Sequence, residues 1–365
     1  MNELAQQWCS SHGLRSPVTT MDEMMTMLPL PPTSVSSLLI NAGRSQRGWS
    51  RIGNFMQCPQ KFAYDQRLNL DLIPASALTR GSMGHIIQAH QHAIWGCQQG
   101  GVWVDDQYHE DGSVFLAPED ALAAWCDHNR AGHEYAARML ETYRRYMARH
   151  PEPPGRVVAV EYPITAALGF KGENWGLWVL ALEEAQRGFD EPRTSLTAFD
   201  GSTIIPTHLD SPGHRDHGKV ITMTRRLDMA IKDRVGQTWI WDHKHQANVS
   251  PGRSVDAYAI DGGFAAFRIM GDQLYGNFGG LMLNLIQTQE PWRVARPCVP
   301  RTPHRDGHFA ELLWRAEHQI ARLDLEQPDL WRWPKAMHEV ACYGRYGPCS
   351  GLKLCQYGPA AVDCV

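Results

Sequence analysis

The sequence predicts an α/β protein: a central sheet flanked by helices, with a helical insertion. Two observations point there. Helical periodicity dominates up to about residue 150, four strand-like segments follow between Val157 and His245, and a helix, a strand and a helix close the order. No G-x-G-x-x-G or G-x-x-x-x-G-K-[ST] marks a nucleotide site, which argues against a doubly wound fold.

Residues 1–49 form a mixed lead-in with a short helix expected around Met21–Met27 and a break at Pro29, Pro31 and Pro32. From Ser50, Ile52, Phe55, Phe62 and Tyr64 recur at roughly helical intervals, interrupted by Pro59. A helix entered through glycines is expected over Gly81–Trp95. The segment 118–149 has the clearest helical pattern (Leu122, Trp125, Tyr135, Met139, Leu140, Tyr143, Met147), stopped by Pro151, Pro153 and Pro154. VVAVEYPITAAL, WGLWVLAL, VITMTRRLDMAIK and TWIWDHKH then read as strands. The stretch Arg187–Lys219, rich in Pro, Gly, Asp and His, reads as a long loop or insertion. A helix over Gly263–Tyr275, a strand over Gly280–Ile286 and an amphipathic helix over 307–323 follow. The expected organisation is a lead-in (1–49), a core (50–357) with a helical insertion at about 100–150, and a tail (358–365). No internal repeat is present.

Over 365 residues, 43% apolar and 20% charged residues describe an ordinary globular chain long enough for a large core. A net charge of −4 excludes a protein coated in basic charge but leaves room for a local cationic groove. Arg144, Arg145 and Arg149, and Arg225 with Arg226, are the nearest clusters, and each reads as solvated surface before phosphate track. No run of about 18 apolar residues could span a membrane. The N-terminus does not read as a secretory signal, so a cytoplasmic location is expected. Thiols stay reduced there, and nine cysteines read as ligands plus leftovers.

The chemistry concentrates in RLDMAIKDRVGQTWIWDHKHQ. Asp228 lies in one strand-like run, and Asp242-His243-Lys244 ends the next. A short turn would bring the ends together, with Asp242 and Lys244 on one face and His243 turned away. Carboxylates on adjacent strands can share Mg²⁺ or Mn²⁺, and a lysine beside them can orient or help deprotonate an attacking water. Alone the pattern also fits an exposed hairpin with ordinary charges. TWIW puts bulky residues on both faces, which implies a central strand, where a charge is costly unless used.

In this arrangement the segment resembles the restriction-endonuclease-like, or PD-(D/E)xK, superfamily. GSMGHIIQAH resembles the G-x-x-x-H helix of its RecB-like members, which implies His85 as a further metal ligand. His90 and His92 read as surface helix positions. GDQLYGNFGG resembles the Q-x-x-x-Y helix, which implies that Gln273 helps hold Lys244 or the DNA; Asn277 stands where the tyrosine is expected. Arg225 and Arg226 replace the usual glycine before the first acid. Glu161 falls on a frequent acidic position, with structural pairing and metal ligation both open. The resemblance further implies metal contact through the main-chain carbonyl of His243.

Cys342, Cys349 and Cys355 lie among glycines and prolines, and Cys58 stands far upstream in CPQKFAY. Thiolates suit iron–sulfur clusters or zinc, and the paired knuckles of a zinc ribbon are absent. The set resembles the iron–sulfur staple of RecB-like nucleases, including AddB and CRISPR-adaptation exonucleases. That implies a 4Fe-4S cluster on Cys58, Cys342, Cys349 and Cys355, joining 50–65 to 335–357. Cys9, Cys97, Cys126, Cys298 and Cys364 read as incidental thiols, with Cys364 a conceivable substitute in the triplet. The resemblance spans roughly 50–95 and 155–357. It implies a metal-dependent DNA nuclease acting on single strands or duplex ends, expected to be an exonuclease. The alternative is a DNA-end-binding or scaffolding subunit for a helicase, recombination or integration complex.

Overall fold

The computed structural model describes residues 47–68, 76–130, 132–189, 191–336, 339–344, 347–349 and 351–357. The helix expected around Met21–Met27 lies outside them. Pro59 separates α1 (Trp49–Gln57) from α2 (Pro59–Phe62), because proline lacks the helical donor yet fits a first turn. Cys58 stands extended between them, and a π-helical turn, Ala63–Arg67, follows. Helix α3 (Ser76–Gln98) is longer than expected, so its glycines lie inside it rather than at its entrance.

The insertion is not purely helical. It opens with β1 (Val102–Val104) and β2 (Gln107–His109), a hairpin whose first strand pairs parallel with the main sheet. The helical stretch that follows splits into α4 (Pro118–Asn129) and α5 (His133–Arg149), broken by left-handed Arg130 and Gly132. Next come β3 (Arg156–Lys171), β4 (Asn174–Val179) and α6 (Leu182–Gln186). Within the expected loop, β5 (Leu196–Thr197) and β6 (Thr203–Pro206) form, and β6 pairs with β3. The core continues through β7 (Thr222–Lys232), β8 (Thr238–Gln246), α7 (Pro251–Ala259), α8 (Gly262–Leu274) and β9 (Phe278–Gln287). Short strands β10 (Val294–Ala295) and β11 (Cys298–Val299), then α9 (Pro303–Gly307) and α10 (Phe309–Glu326), complete it. The end holds α11 (Glu339–Cys342), the β12–β13 pair (Tyr343–Gly344, Gly347–Pro348) and α12 (Leu352–Tyr357).

The sheet is mixed and runs β10-β9-β8-β7-β3-β1-β2, with β8–β9 and β1–β3 parallel. Strand β8 is central, and its two-sided apolar TWIW segment fits that place. One face packs on α3 through Ala89, Ala93 and Trp95, which meet Val157, Val160, Met229 and Ile231. The other packs on α1, α8 and α10 through Phe55, Phe264, Phe267 and Leu313, which meet Ile164, Ala166 and Leu227. Val160 and Tyr162 are two residues apart yet serve opposite faces, as do Met229 and Leu227 opposite them. Glu161, between Val160 and Tyr162, takes a left-handed φ of 48° at that level. Simple strand alternation fails at that point.

The segment after α1 meets the segment after α10. Gln60 donates to the Leu330 carbonyl at 2.7 Å, and Phe62 stacks on Trp333 at 5.9 Å between ring centres. Among the described residues, no helix is long and apolar enough to cross a membrane.

Candidate metal centre

Four elements deliver the candidate residues. Helix α3 brings His85, β3 brings Glu161, β7 brings Asp228, and β8 brings Asp242 and Lys244. The β7–β8 hairpin pairs Met229 with Trp241, which sets Asp228 beside the end of β8. One potential ligand atom each from His85, Glu161 and Asp228 lies within 4.8 Å of the others. His85 Nδ1 is 3.5 Å from Asp228 Oδ2, and the His243 N–H donates to that same oxygen at 2.6 Å. The Lys244 ammonium pairs with the Asp242 carboxylate and lies 5.6 Å from the centre of the Tyr258 ring.

The electrostatics are those of an acid cluster held out of water. Burial pushes the Glu161 carboxyl up to about 8; Asp228 adds to the rise and Arg226 opposes it. Burial also raises Asp242, against the pull of Lys244. Lys244 would lose charge on burial, but Asp242 beside it holds the ammonium well above its ordinary value. A divalent cation would relieve the crowding that keeps Glu161 protonated, so the oxygen-and-imidazole donor set fits Mg²⁺ or Mn²⁺. Arg226 is turned to Asp105 in the β1–β2 turn, at 3.2 Å.

The remaining expected residues fall elsewhere. Gln273 does not reach Lys244: its amide accepts from the Val179 N–H and donates to the Leu177 carbonyl, both at 2.8 Å, clipping α8 to β4. His243 touches Asp228 through its N–H, while its buried ring meets Asn284 at 2.9 Å. Asn284 in turn donates to the Tyr146 hydroxyl. His90 and His92 are buried, not surface positions, and burial lowers them to about 4 and about 3. His90 is covered by the insertion, where it accepts from the Leu116 N–H at 3.1 Å and meets the Phe115 ring, and His92 lies 4.9 Å from the His243 ring on β8. Arg145 pairs with Glu141 at 2.6 Å and Arg149 donates to the Trp292 carbonyl, so that cluster is engaged locally. Glu161 is the residue whose place sequence reasoning left open. Its signals were the frequent acidic position it falls on and an acid inside an otherwise apolar strand.

Of the thiols, Cys58 is buried and Cys342, Cys349 and Cys355 are half-buried. The Cys349 N–H donates to the Cys342 carbonyl at 2.7 Å, and the Cys355 thiol contacts the Tyr64 hydroxyl at 3.8 Å. Burial raises the Cys349 thiol, with Cys58 and Cys342 adding to it; Cys355 is raised likewise, with Cys58 and Cys349 adding. The four are thus electrostatic neighbours. Among the described residues, no three of their sulfurs come within 4.8 Å of one another, so they are not drawn around one point as ligands of a single ion. Cys97 and Cys126 are buried thiols and Cys298 is exposed; Cys9 and Cys364 lie outside the described residues. The chain matches no protein-family model, and no curated protein is significantly similar to it.

Proposed function

We propose that this protein is a metal-dependent nuclease that hydrolyses phosphodiester bonds in DNA, on a restriction-endonuclease-like core of RecB type. The observation that carries the proposal is the convergence of His85, Glu161 and Asp228 within 4.8 Å, beside the Lys244–Asp242 pair. A hard divalent cation held there supplies charge neutralisation at phosphorus. His85, Glu161 and Asp228 would hold it, and the imidazole favours Mn²⁺ over Mg²⁺. The His243 N–H fixes the orientation of the Asp228 carboxylate. Lys244 stays protonated, so it acts as a donor to the phosphate or the attacking water rather than as the base. Asp242 keeps that ammonium in place.

The proposal extends to Cys58, Cys342, Cys349 and Cys355 as thiolate ligands of a 4Fe-4S cluster, a reading supported by a donor set of four neighbouring soft ligands. Its task is mechanical, tying the segment after α1 to the segment after α10, and no redox step is invoked. Purified protein with brown colour and iron supports it; a colourless, zinc-loaded, fully folded protein overturns it.

End-labelled single-stranded and duplex DNA, incubated with Mg²⁺ or Mn²⁺, tests the activity. Wild type is expected to degrade it in a metal-dependent manner, and Asp228→Asn and Lys244→Ala to be nearly inactive. DNA retention on a gel without cleavage would favour an end-binding or scaffolding subunit.

A further inference from the structure

A cleft opens between β3, β4 and α6. Asp106, Tyr162, Thr165, Gln186, Phe199 and Leu274 are among its lining residues, and it encloses about 210 Å³. That is below the roughly 300–1,000 Å³ of sites for drug-sized ligands, and suits a single ring system. Tyr162 follows Glu161 directly in the chain, and Trp103 meets its ring edge-on at 6.2 Å, which fixes its plane. Phe199 is 49% exposed at the lip. An exposed phenylalanine on one wall and a braced tyrosine on the other are costly as bare surface and useful as stacking partners. The polar groups are few. Asp106 accepts from Gln186 Nε2 at a long 3.4 Å, a contact easily exchanged for a ligand donor.

We propose that this cleft receives one unpaired nucleobase of the DNA strand whose backbone lies at the His85–Glu161–Asp228 centre. The inference rests on the nuclease proposal and narrows its substrate to single-stranded DNA or frayed ends, because a base inside a duplex cannot enter. Continuity carries it. Asp105 binds Arg226 beside Glu161, Asp106 is the next residue, and Tyr162 is one peptide from Glu161, so cleft and acid cluster are neighbours along β3 and at the β1–β2 turn. Tyr162 and Phe199 supply stacking that any base can use. The Asp106 carboxylate, an acceptor only, selects bases with an amino group on the pairing edge and ranks thymine last. An acid is otherwise ill-placed in a DNA site; here it faces a base and not a phosphate.

The test is equilibrium binding of short dye-labelled dG, dC, dA and dT homopolymers to the full chain in chelator, where no cleavage occurs, alongside metal-dependent cleavage of the same strands. Wild type is expected to bind dT most weakly. Tyr162→Ala and Phe199→Ala are expected to lose affinity by roughly tenfold, in the range for one stacked base, and Asp106→Asn to flatten the base preference. Phe199→Ala alters only an exposed side chain, so it decides the matter if Tyr162→Ala fails to fold. Unchanged affinity in folded Phe199→Ala overturns the cleft proposal even if the protein cleaves DNA. Binding that depends on Phe199 in a protein that never cleaves would uphold the cleft and overturn the nuclease.

Discussion

Lys244 and Glu161 carry opposite protonation problems in the same few ångströms. Lys244 is held charged by Asp242, so truncating it removes a fixed positive charge without opening the core. Lys244→Ala is expected to lower turnover about 10²–10³-fold, as for loss of one donor at a developing anion, and to lower the melting temperature of the metal-free protein, because buried Asp242 loses its counter-charge; single-turnover cleavage and melting curves check both. Glu161 is held neutral up to about 8, against an ordinary value of 4.5. In the metal-free protein the native state therefore keeps a proton that the unfolded chain has released. The Glu161 contribution to stability is expected to fall as pH rises from about 4.5 to about 8, while His90 and His92, lowered by burial, add stability as pH rises towards about 6.5. Added Mn²⁺ takes the place of the proton, so its stabilising effect is expected to grow with pH. Melting curves with chelator and with Mn²⁺ at about pH 5.5, 7 and 8.5, run on wild type and on Glu161→Gln, read the Glu161 part of both slopes as the difference between the two proteins.

At the level of elements, two joints hold the site in place. Gly84 on α3 lets the helix close on His245, since a β-carbon there would lie 2.3 Å from the imidazole. Gly84→Ala is expected to cost about 1–3 kcal/mol by overpacking and to weaken cation binding by shifting His85, measured by denaturant midpoint and Mn²⁺ titration. Gln273 joins α8 to β4, and Gln273→Ala strands a backbone donor and acceptor. A loss of about 1–3 kcal/mol is expected, with turnover preserved below the melting transition; lost turnover in folded protein would return Gln273 to the chemistry. These joints also mark how far the sequence could be read. The β7–β8 hairpin with Asp242 and Lys244 on one face was legible, because period-2 alternation and a short turn fix it locally. The position of Glu161 was not, since it depends on one backbone angle. The burial of His90 and His92 was hidden because α3 is covered from two sides, by the sheet and by the insertion, which leaves no single apolar stripe to read. The hairpin inside the insertion was missed because three-residue strands leave almost no periodic signal.

Across the whole molecule, residues 58–64 and 330–357 are tied by aromatic packing, with Phe62 against Trp333 and Tyr64 against Trp331, beside the four thiols. Trp333 is 1% exposed, and Trp333→Ala is expected to destabilise the protein by about 3–5 kcal/mol. If the thiols hold a cluster, Cys349→Ser is expected to release iron and lower the melting temperature while sparing metal-dependent cleavage in the folded fraction. Iron content and calorimetry separate the two variants.

The left-handed step at Glu161 has a kinetic consequence. It lies, with the acid cluster, on the seam between two cores, one built with α3 and the other with α1, α8 and α10. Neither core alone gathers His85, Glu161 and Asp228, so the cation has no seat until both have packed and the sheet has taken its bend. Mn²⁺ bound at the proposed centre is expected to slow unfolding while leaving the refolding rate untouched, which stopped-flow unfolding and refolding with and without Mn²⁺ checks.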